Sequence, residues 1–326
     1  MDSVMTTTLG LDVSKAKIDC ALLLKNKVKS KVFSNNSEGF NSLLAWLGKH
    51  GVSRVHACCE ATGTYSDAIA LFLHEQGQVV SVVNPAQIAA YAQSQLSRAK
   101  TDALDARLIA RFCEREQPAA WTPPPAEERL LLALLRDLQN LRAMQQAESN
   151  RLDTAHLGVR KRIERHLAFM AGEIEQVKEL IKQHIDHHDQ LRGRRDLLES
   201  VPGLGVNTIP WLIAYLGDGE RFVGSKRAVA FFGLCPKPRQ SGSSVRGKAH
   251  IAKTGHADMR HVLFMPAMVA YSRCKAFAPF VQRLKAAGKP PKVIIVALMR
   301  KLVAIAQAIL KSGKPFDSDL HHALQL

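Results

Sequence analysis

At 326 residues and 46% hydrophobic, this chain is long enough for about two domains with sizeable cores, and its composition is that of an ordinary soluble globular protein. No uninterrupted apolar run reaches membrane-spanning length, no signal-peptide pattern opens the chain, and six cysteines without a CxxC pair read as reduced thiols, so a cytoplasmic protein is expected. The net charge of +16 points to a polyanion partner, most simply nucleic acid.

In chain order, Thr6 to Ser14 reads as a buried strand, and Ile18 to Leu24 and Val28 to Phe33 as the next two strands of a meander. Lys25, Lys27, Lys29 and Lys31 alternate and share one face, which suits either edge-strand protection or contact with nucleic acid. Ser37 to Lys49 has helical periodicity, Val52 to Cys59 is a short apolar strand ending on Glu60, Tyr65 to Gln76 is helical, and Val79 to Val83 is a further strand. Asn84-Pro85 then starts another helix. The order strand-strand-strand-helix-strand-helix-strand-helix predicts a ribonuclease-H-like mixed sheet flanked by helices. Trp121-Thr122-Pro123-Pro124-Pro125 marks its boundary.

The next helix to consider begins at Lys100-Thr101-Asp102-Ala103-Leu104-Asp105. Asp102 and Asp105 are three apart and project from one face, with Thr101 as N-cap and Leu104, Leu108, Ile109 and Phe112 as the expected buried stripe. Glu127 to Arg195 is helix-forming with a break near His156-Leu157-Gly158. Ile163, Leu167, Met170, Ile174, Val177 and Ile181 follow a heptad pattern, which predicts a coiled-coil hairpin or a dimerisation arm. Val201-Pro202-Gly203-Leu204-Gly205 reads as a tight turn of the helix-hairpin-helix kind, in which backbone N–H groups face phosphate, with Gly203 and Gly205 as candidate nucleic-acid contacts. Helices over Ala257 to Tyr271 and Val293 to Leu310 close a mainly α C-terminal domain. Residues 221–326 carry 19 Lys and Arg against three Asp and Glu, so the whole excess charge sits in the last third.

Asp12 lies among apolar strand residues, where a charge is costly unless paired or bound to a cation. In the predicted sheet the first and fourth strands are neighbours, so Asp12 and Glu60 converge, and the helix with Asp102 and Asp105 packs at the same edge. Four carboxylates together call for divalent cations, and all-oxygen ligation suits Mg²⁺ or Mn²⁺. A pair of such ions would stabilise both attacking and leaving oxygens in phosphodiester chemistry. A second candidate is Gln240-Ser241-Gly242-Ser243-Ser244-Val245-Arg246-Gly247-Lys248, where small residues admit a phosphate and Arg246, Lys248 and Lys253 supply charge. The bland alternative is a polar loop.

The segments GLDVSK, CEATGTY, NPAQ, RAKTDALDAR, VPGLG, FFGLCP and SGSSVRGKAHIAKTGHADMR together resemble the DEDD transposases of the insertion-sequence 110 family, which are bridge-RNA-guided recombinases, along nearly the whole chain. The resemblance implies a RuvC-like nuclease domain (1–125), a helical coiled-coil arm (126–198) and a basic transposase domain carrying a serine (199–326). It implies Asp12, Glu60, Asp102 and Asp105 as the metal-binding tetrad and Ser241 as the nucleophile that forms a covalent 5′-phosphoserine. It also implies donor and target DNA and a bridge RNA as partners, a homo-oligomer (dimer or tetramer) with composite sites, and a bacterial cytoplasmic protein found on the nucleoid when DNA-bound. Ser243 and Ser244 compete with Ser241 on spacing alone. Two rival readings remain: a RuvC-like structure-selective nuclease using water as nucleophile, and a catalytically silent nucleic-acid scaffold.

Overall fold

The computed structural model describes residues 7–25, 27–61, 63–95, 102–241 and 245–318. The chain divides into two compact units, Met1–Pro123 and Pro124–Leu326. In the first, strands β1 (Thr7–Val13), β2 (Lys17–Leu24), β3 (Lys27–Ser34), β4 (Val55–Glu60) and β5 (Val79–Val83) form one sheet in the order β3-β2-β1-β4-β5. β1, β4 and β5 are parallel and the β1-β2-β3 meander is antiparallel, the mixed sheet that the element order predicts. Helices α1 (Ser37–Lys49), α2 (Asp67–Glu75), α3 (Pro85–Ser94) and α4 (Asp102–Glu116) accompany it. Two starts follow directly from local sequence. Asn36 caps α1 by accepting from Gly39 N at 2.9 Å, and Asn84 caps α3 ahead of Pro85 at the first helical position. β3 is one edge of the sheet, and Lys27, Lys29 and Lys31 are exposed along it, as both edge protection and contact with nucleic acid require.

Alternation along the strands gives the sheet two different faces. Leu9, Leu11, Ile18 and Cys59 pack with Phe40, Leu43 and Leu47 of α1 and Ile69 and Leu73 of α2. Gly10, Ala21 and Cys58 turn the other way, towards α4. A Cβ added at Gly10 would sit 2.1 Å from Ala106 O and 2.4 Å from Ala110 N, so helix and strand meet backbone to backbone. This close approach corrects the expected helix face. Leu104 is exposed, and the buried residues are Ala106, Ile109, Ala110, Phe112 and Cys113. Small alanines are what Gly10 can admit, so the seam runs through them and not through Leu104. The Thr101 cap lies outside the described residues.

The second unit contains α5 (Ala126–Asp153), α6 (Leu157–His187), α7 (Asp189–Glu199), α8 (Ile209–Leu216), α9 (Ser225–Phe231), the hairpin β6 (Pro236–Ser241) and β7 (Val245–Ile251), α10 (Ala257–Ser272), α11 (Ala278–Ala286) and α12 (Pro291–Ser312). α5 and α6 are antiparallel. His184 Nε2 lies 2.8 Å from Glu127 O at one end, and His166 Nδ1 lies 3.2 Å from Glu148 Oε1 near the other. The heptad residues Ile163, Met170, Ile174, Val177 and Ile181 are buried, and α6 packs on α5. The seam packs within this chain as a helical hairpin. Its core is continuous with that of α7 to α12, where every residue of α8 is buried. α12 is long and apolar enough to cross a membrane by composition, at a mean hydropathy of 2.2, but 72% of that window is buried, and it is the central core helix. Glu128, at 2% exposure, is held by Arg194 and Arg221 at 2.6 Å each, which knits α5 to α7 and to the segment after α8.

The β6-β7 hairpin is an element that apolar periodicity did not signal, and the short helices α9 and α11 escaped for the same reason. Pro-Lys-Pro-Arg-Gln-Ser has no alternating apolar stripe, and in Val-Arg-Gly-Lys-Ala-His-Ile the alternation passes through Gly and Ala, which are too small to mark it.

Candidate active site

Leu11 pairs with Cys59 in the parallel register of β1 and β4, so Asp12 and Glu60 come next on adjacent strands, roughly 5 Å apart at Cα. By alternation they share the face of Gly10 and Cys58, the face that α4 covers. α4 runs antiparallel to these strands: Cys113 Sγ donates to His56 O at 3.6 Å near the start of β4, while Ala106 and Ala110 lie against Gly10. From Cys113 back to Asp105 the helix climbs about 12 Å. From His56 forward to Glu60 the strand climbs about 13 Å. Asp105 is therefore carried to the end of the sheet from which Asp12 and Glu60 emerge. All three are half-buried. Asp102 opens α4 one turn beyond, and its side chain lies outside the described residues, as does that of Ser241.

Half-buried carboxylates at this spacing repel one another unless a cation or basic group offsets the charge. The donor set is all oxygen, which fits Mg²⁺ or Mn²⁺ and not a thiolate or imidazole metal. Among the described residues, no group of three or more His, Cys, Asp or Glu closes to metal-binding spacing. Burial pushes the Cys20 thiol up, and burial followed by the charges of Asp67 and Glu60 pushes Cys59 up to about 12, whereas the hydrogen bond with Cys58 pulls Cys113 down to about 6; all three are buried.

A fifth acid went unread in the sequence. Asp19 stands directly opposite Asp12 in the antiparallel β1-β2 register and is 7% exposed. Lys17 Nζ pairs with its Oδ2 at 3.0 Å. Its signal was available, because a charged residue inside the second predicted strand carries the same desolvation cost that singled out Asp12.

Ser241 is the last residue of β6 and pairs with Val245, so it stands at the hairpin tip. Gly242, Ser243 and Ser244 lie outside the described residues. Arg246 faces Gln240 in the register, close to the tip, whereas Lys253 follows the far end of β7. Seven strand residues separate the two ends by about 20 Å, so Lys253 does not share a phosphate grip with Arg246. Lys248 belongs to the same strand, and the side chains of Arg246 and Lys248 lie outside the described residues. Gly203 adopts φ +93 with its Cα facing Pro266 and Cys274, and Gly205 is exposed.

The base of the hairpin is tied down. Ala252 N donates to Cys235 O (2.8 Å) and Lys253 N to Gly233 O (3.1 Å), with Lys253 in a left-handed backbone at φ +56. The His256 ring is set between Tyr215 (4.6 Å) and Phe231 (4.4 Å). Tyr215 Oη donates to Asp258 Oδ2 at 2.5 Å, and Arg136 Nη2 reaches Tyr215 Oη at 3.5 Å. Burial holds His256 below the usual imidazole range, against the opposing pull of Asp258.

A DEDD-type transposase model of the IS110 group matches residues 9–158, and a model described as transposase of the IS116/IS110/IS902 family matches residues 195–282. The chain is 35% identical over 318 residues to the pilin gene-inverting protein of Moraxella bovis, covering 97% of this chain and 99% of that protein. The counterpart from Moraxella lacunata shows the same identity and coverage. The transposase for insertion sequence element IS1328 of Yersinia enterocolitica is 28% identical over 162 residues, 48% of this chain and 46% of that one.

Proposed function

This chain belongs to the IS116/IS110/IS902 family of transposases, the DNA-processing enzymes of insertion sequences, and from that membership we propose a metal-dependent recombinase that uses Ser241 as its nucleophile. The observation that carries the reading is the convergence of Asp12, Glu60 and the start of α4 at one sheet end, enforced by the Gly10 contact. In this reading Asp12, Glu60, Asp102 and Asp105 hold two Mg²⁺ or Mn²⁺ ions, which supply Lewis acidity at the scissile phosphate.

Ser241 Oγ attacks phosphorus, the bond to the 3′ oxygen breaks, and the phosphate stays on serine as a 5′-phosphoserine while the 3′ oxygen leaves with a proton. A 3′-hydroxyl of the exchanged strand then attacks the same phosphorus and releases the serine. Bond count is conserved, so no high-energy cofactor is needed. An unperturbed hydroxyl is a weak nucleophile and has to be activated by its surroundings.

In the same proposal residues 1–125 are the nuclease domain, 126–198 the arm and 199–326 the basic domain that delivers the serine. Donor and target DNA are the substrates, a bridge RNA selects them, and a dimer or tetramer completes composite sites. In this reading the arm, on which Leu157, Phe169 and Leu180 of α6 stay exposed, is a candidate subunit interface. The setting is the bacterial cytoplasm, on the nucleoid when DNA-bound.

Covalent capture tests this. Protein, Mg²⁺, its own element-end DNA and the RNA flanking the gene would be mixed, denatured and resolved for a protein–DNA adduct. An adduct absent from Ser241→Ala is the expected result. Cleavage without any adduct would instead favour a nuclease that uses water.

A further inference from the structure

Residues 259–316 contain eleven Lys and Arg and no Asp or Glu. Six of them, Arg273, Lys275, Arg283, Lys285, Lys289 and Lys292, are exposed on the end of α10, the 3₁₀ turn Lys275–Phe277, α11 and the start of α12. Among the described residues none of the six forms an ion pair. The arm behaves differently. There Arg151, Lys178, Arg192 and Arg195 are each paired with a carboxylate on the same or the neighbouring helix, as a solvated surface normally arranges its charge.

The α11 face also bears visible electrostatic cost. The Arg283 guanidinium lies 5.3 Å from the centre of the Phe280 ring, and Lys301 Nζ lies 5.0 Å from it. Burial and then the Arg283 charge push Lys301 below its ordinary value. Lys285 Nζ similarly covers the Tyr271 ring at 4.7 Å. Cations therefore cover the two aromatic rings of this face, so what it offers a ligand is positive charge and not a bare platform for stacking bases.

We propose that this α11 face is a docking surface for the phosphate backbone of duplex DNA, separate from the Ser241 hairpin. The proposal rests on the reading of the chain as a DNA recombinase. α11 is about 13 Å long. Duplex DNA presents about one phosphate charge per 1.7 Å of axis counted over both strands, so a stretch of that length carries roughly eight phosphates, of which one side meets Arg283 and Lys285 of α11 and the four cations on the segments flanking it. Interactions of this kind position a duplex without reading its sequence.

The test is a charge-removal variant, Arg273→Gln with Lys285→Gln, Lys289→Gln and Lys292→Gln, beside a Lys→Arg control at the three lysines. Binding of a duplex of unrelated sequence and of a structured RNA would be measured across a salt series, with thermal melting to check the fold. The expected result is about tenfold or greater loss of duplex affinity, a log–log salt slope shallower by about 0.9 for each phosphate no longer neutralised, and full rescue in the Lys→Arg control. Unchanged duplex binding would overturn the proposal. So would loss confined to the RNA, which would reassign the face to RNA. An adduct at Ser241 formed with saturating DNA reports on the recombinase reading separately.

Discussion

Asp12 and Glu60 stand on the two central strands of a five-stranded sheet, with a helix pressed backbone to backbone over the strand between β2 and β4. Ser241 stands at the tip of a two-stranded ribbon, a structure that is marginal in isolation. The acids are fixed by packing on both faces of their sheet, and their geometry is built before any substrate arrives. Among the described residues, the ribbon is tied down at its base, by the Cys235–Ala252 and Gly233–Lys253 bonds and the ring of His256. Charge held on a packed sheet and a serine held on a ribbon are two different ways of placing a side chain. Carboxylates that repel one another need a rigid frame, and under the proposed function a serine at a ribbon tip would have the reach to take up and release a DNA strand.

The contrast can be broken at its strongest point first. Asp12→Asn removes a charge without changing shape, so strand cleavage should fall by about three orders of magnitude or more while melting stays level or rises. Gel-resolved cleavage together with calorimetry would show it, and a stable variant with full activity would remove Asp12 from the chemistry. Gly10→Ala should come next. Its methyl would meet Ala106 O at 2.1 Å, so the first unit should lose roughly 1–3 kcal/mol as α4 is pushed from β1. Hydrogen exchange read unit by unit should show the loss in Met1–Pro123 and leave Pro124–Leu326 unaffected.

The smallest effect concerns the ribbon's anchor. His256 is faced by Tyr215, Phe231, Asp258, Arg136 and Arg260, and its folded pKa lies below the unfolded one. Its contribution to stability is therefore complete above the unfolded imidazole pKa of about 6.5 and is lost as pH falls through the lower folded value. The melting temperature of the second unit should fall over that window in the natural protein. His256→Phe keeps the aromatic contact, and its melting profile should be flatter. Parallel profiles would show that His256 does not titrate in this role.

The order and type of the strands in the first unit were legible because four are short apolar runs and the edge strand β3 alternates Lys with Val and Ser, and the helices because their apolar residues recur at helical spacing. Asp12 and Glu60 were legible for a related reason, since a charge inside or at the end of such a run is costly and asks for an explanation. Asp19 met the same condition and was missed because its strand was read only for its apolar residues. Leu104 was misplaced because helical spacing identifies an apolar face but not what lies opposite it, and here only alanines fit over Gly10.

What the sequence determined by itself was therefore the elements of the first unit and the long helices of the second, the acids that the first unit cannot leave unpartnered, and the segregation of positive charge into the last third. What only the tertiary structure decided was pairing: which strand faces Asp12, that the heptads of α6 are buried against α5, that Pro236–Ile251 closes as a hairpin with Ser241 at its tip, and that Lys253 stands at the other end. The reason is physical. Periodicity and desolvation act along the chain and can be read from it, whereas register, close approach and the choice of packing partner depend on atoms distant in sequence.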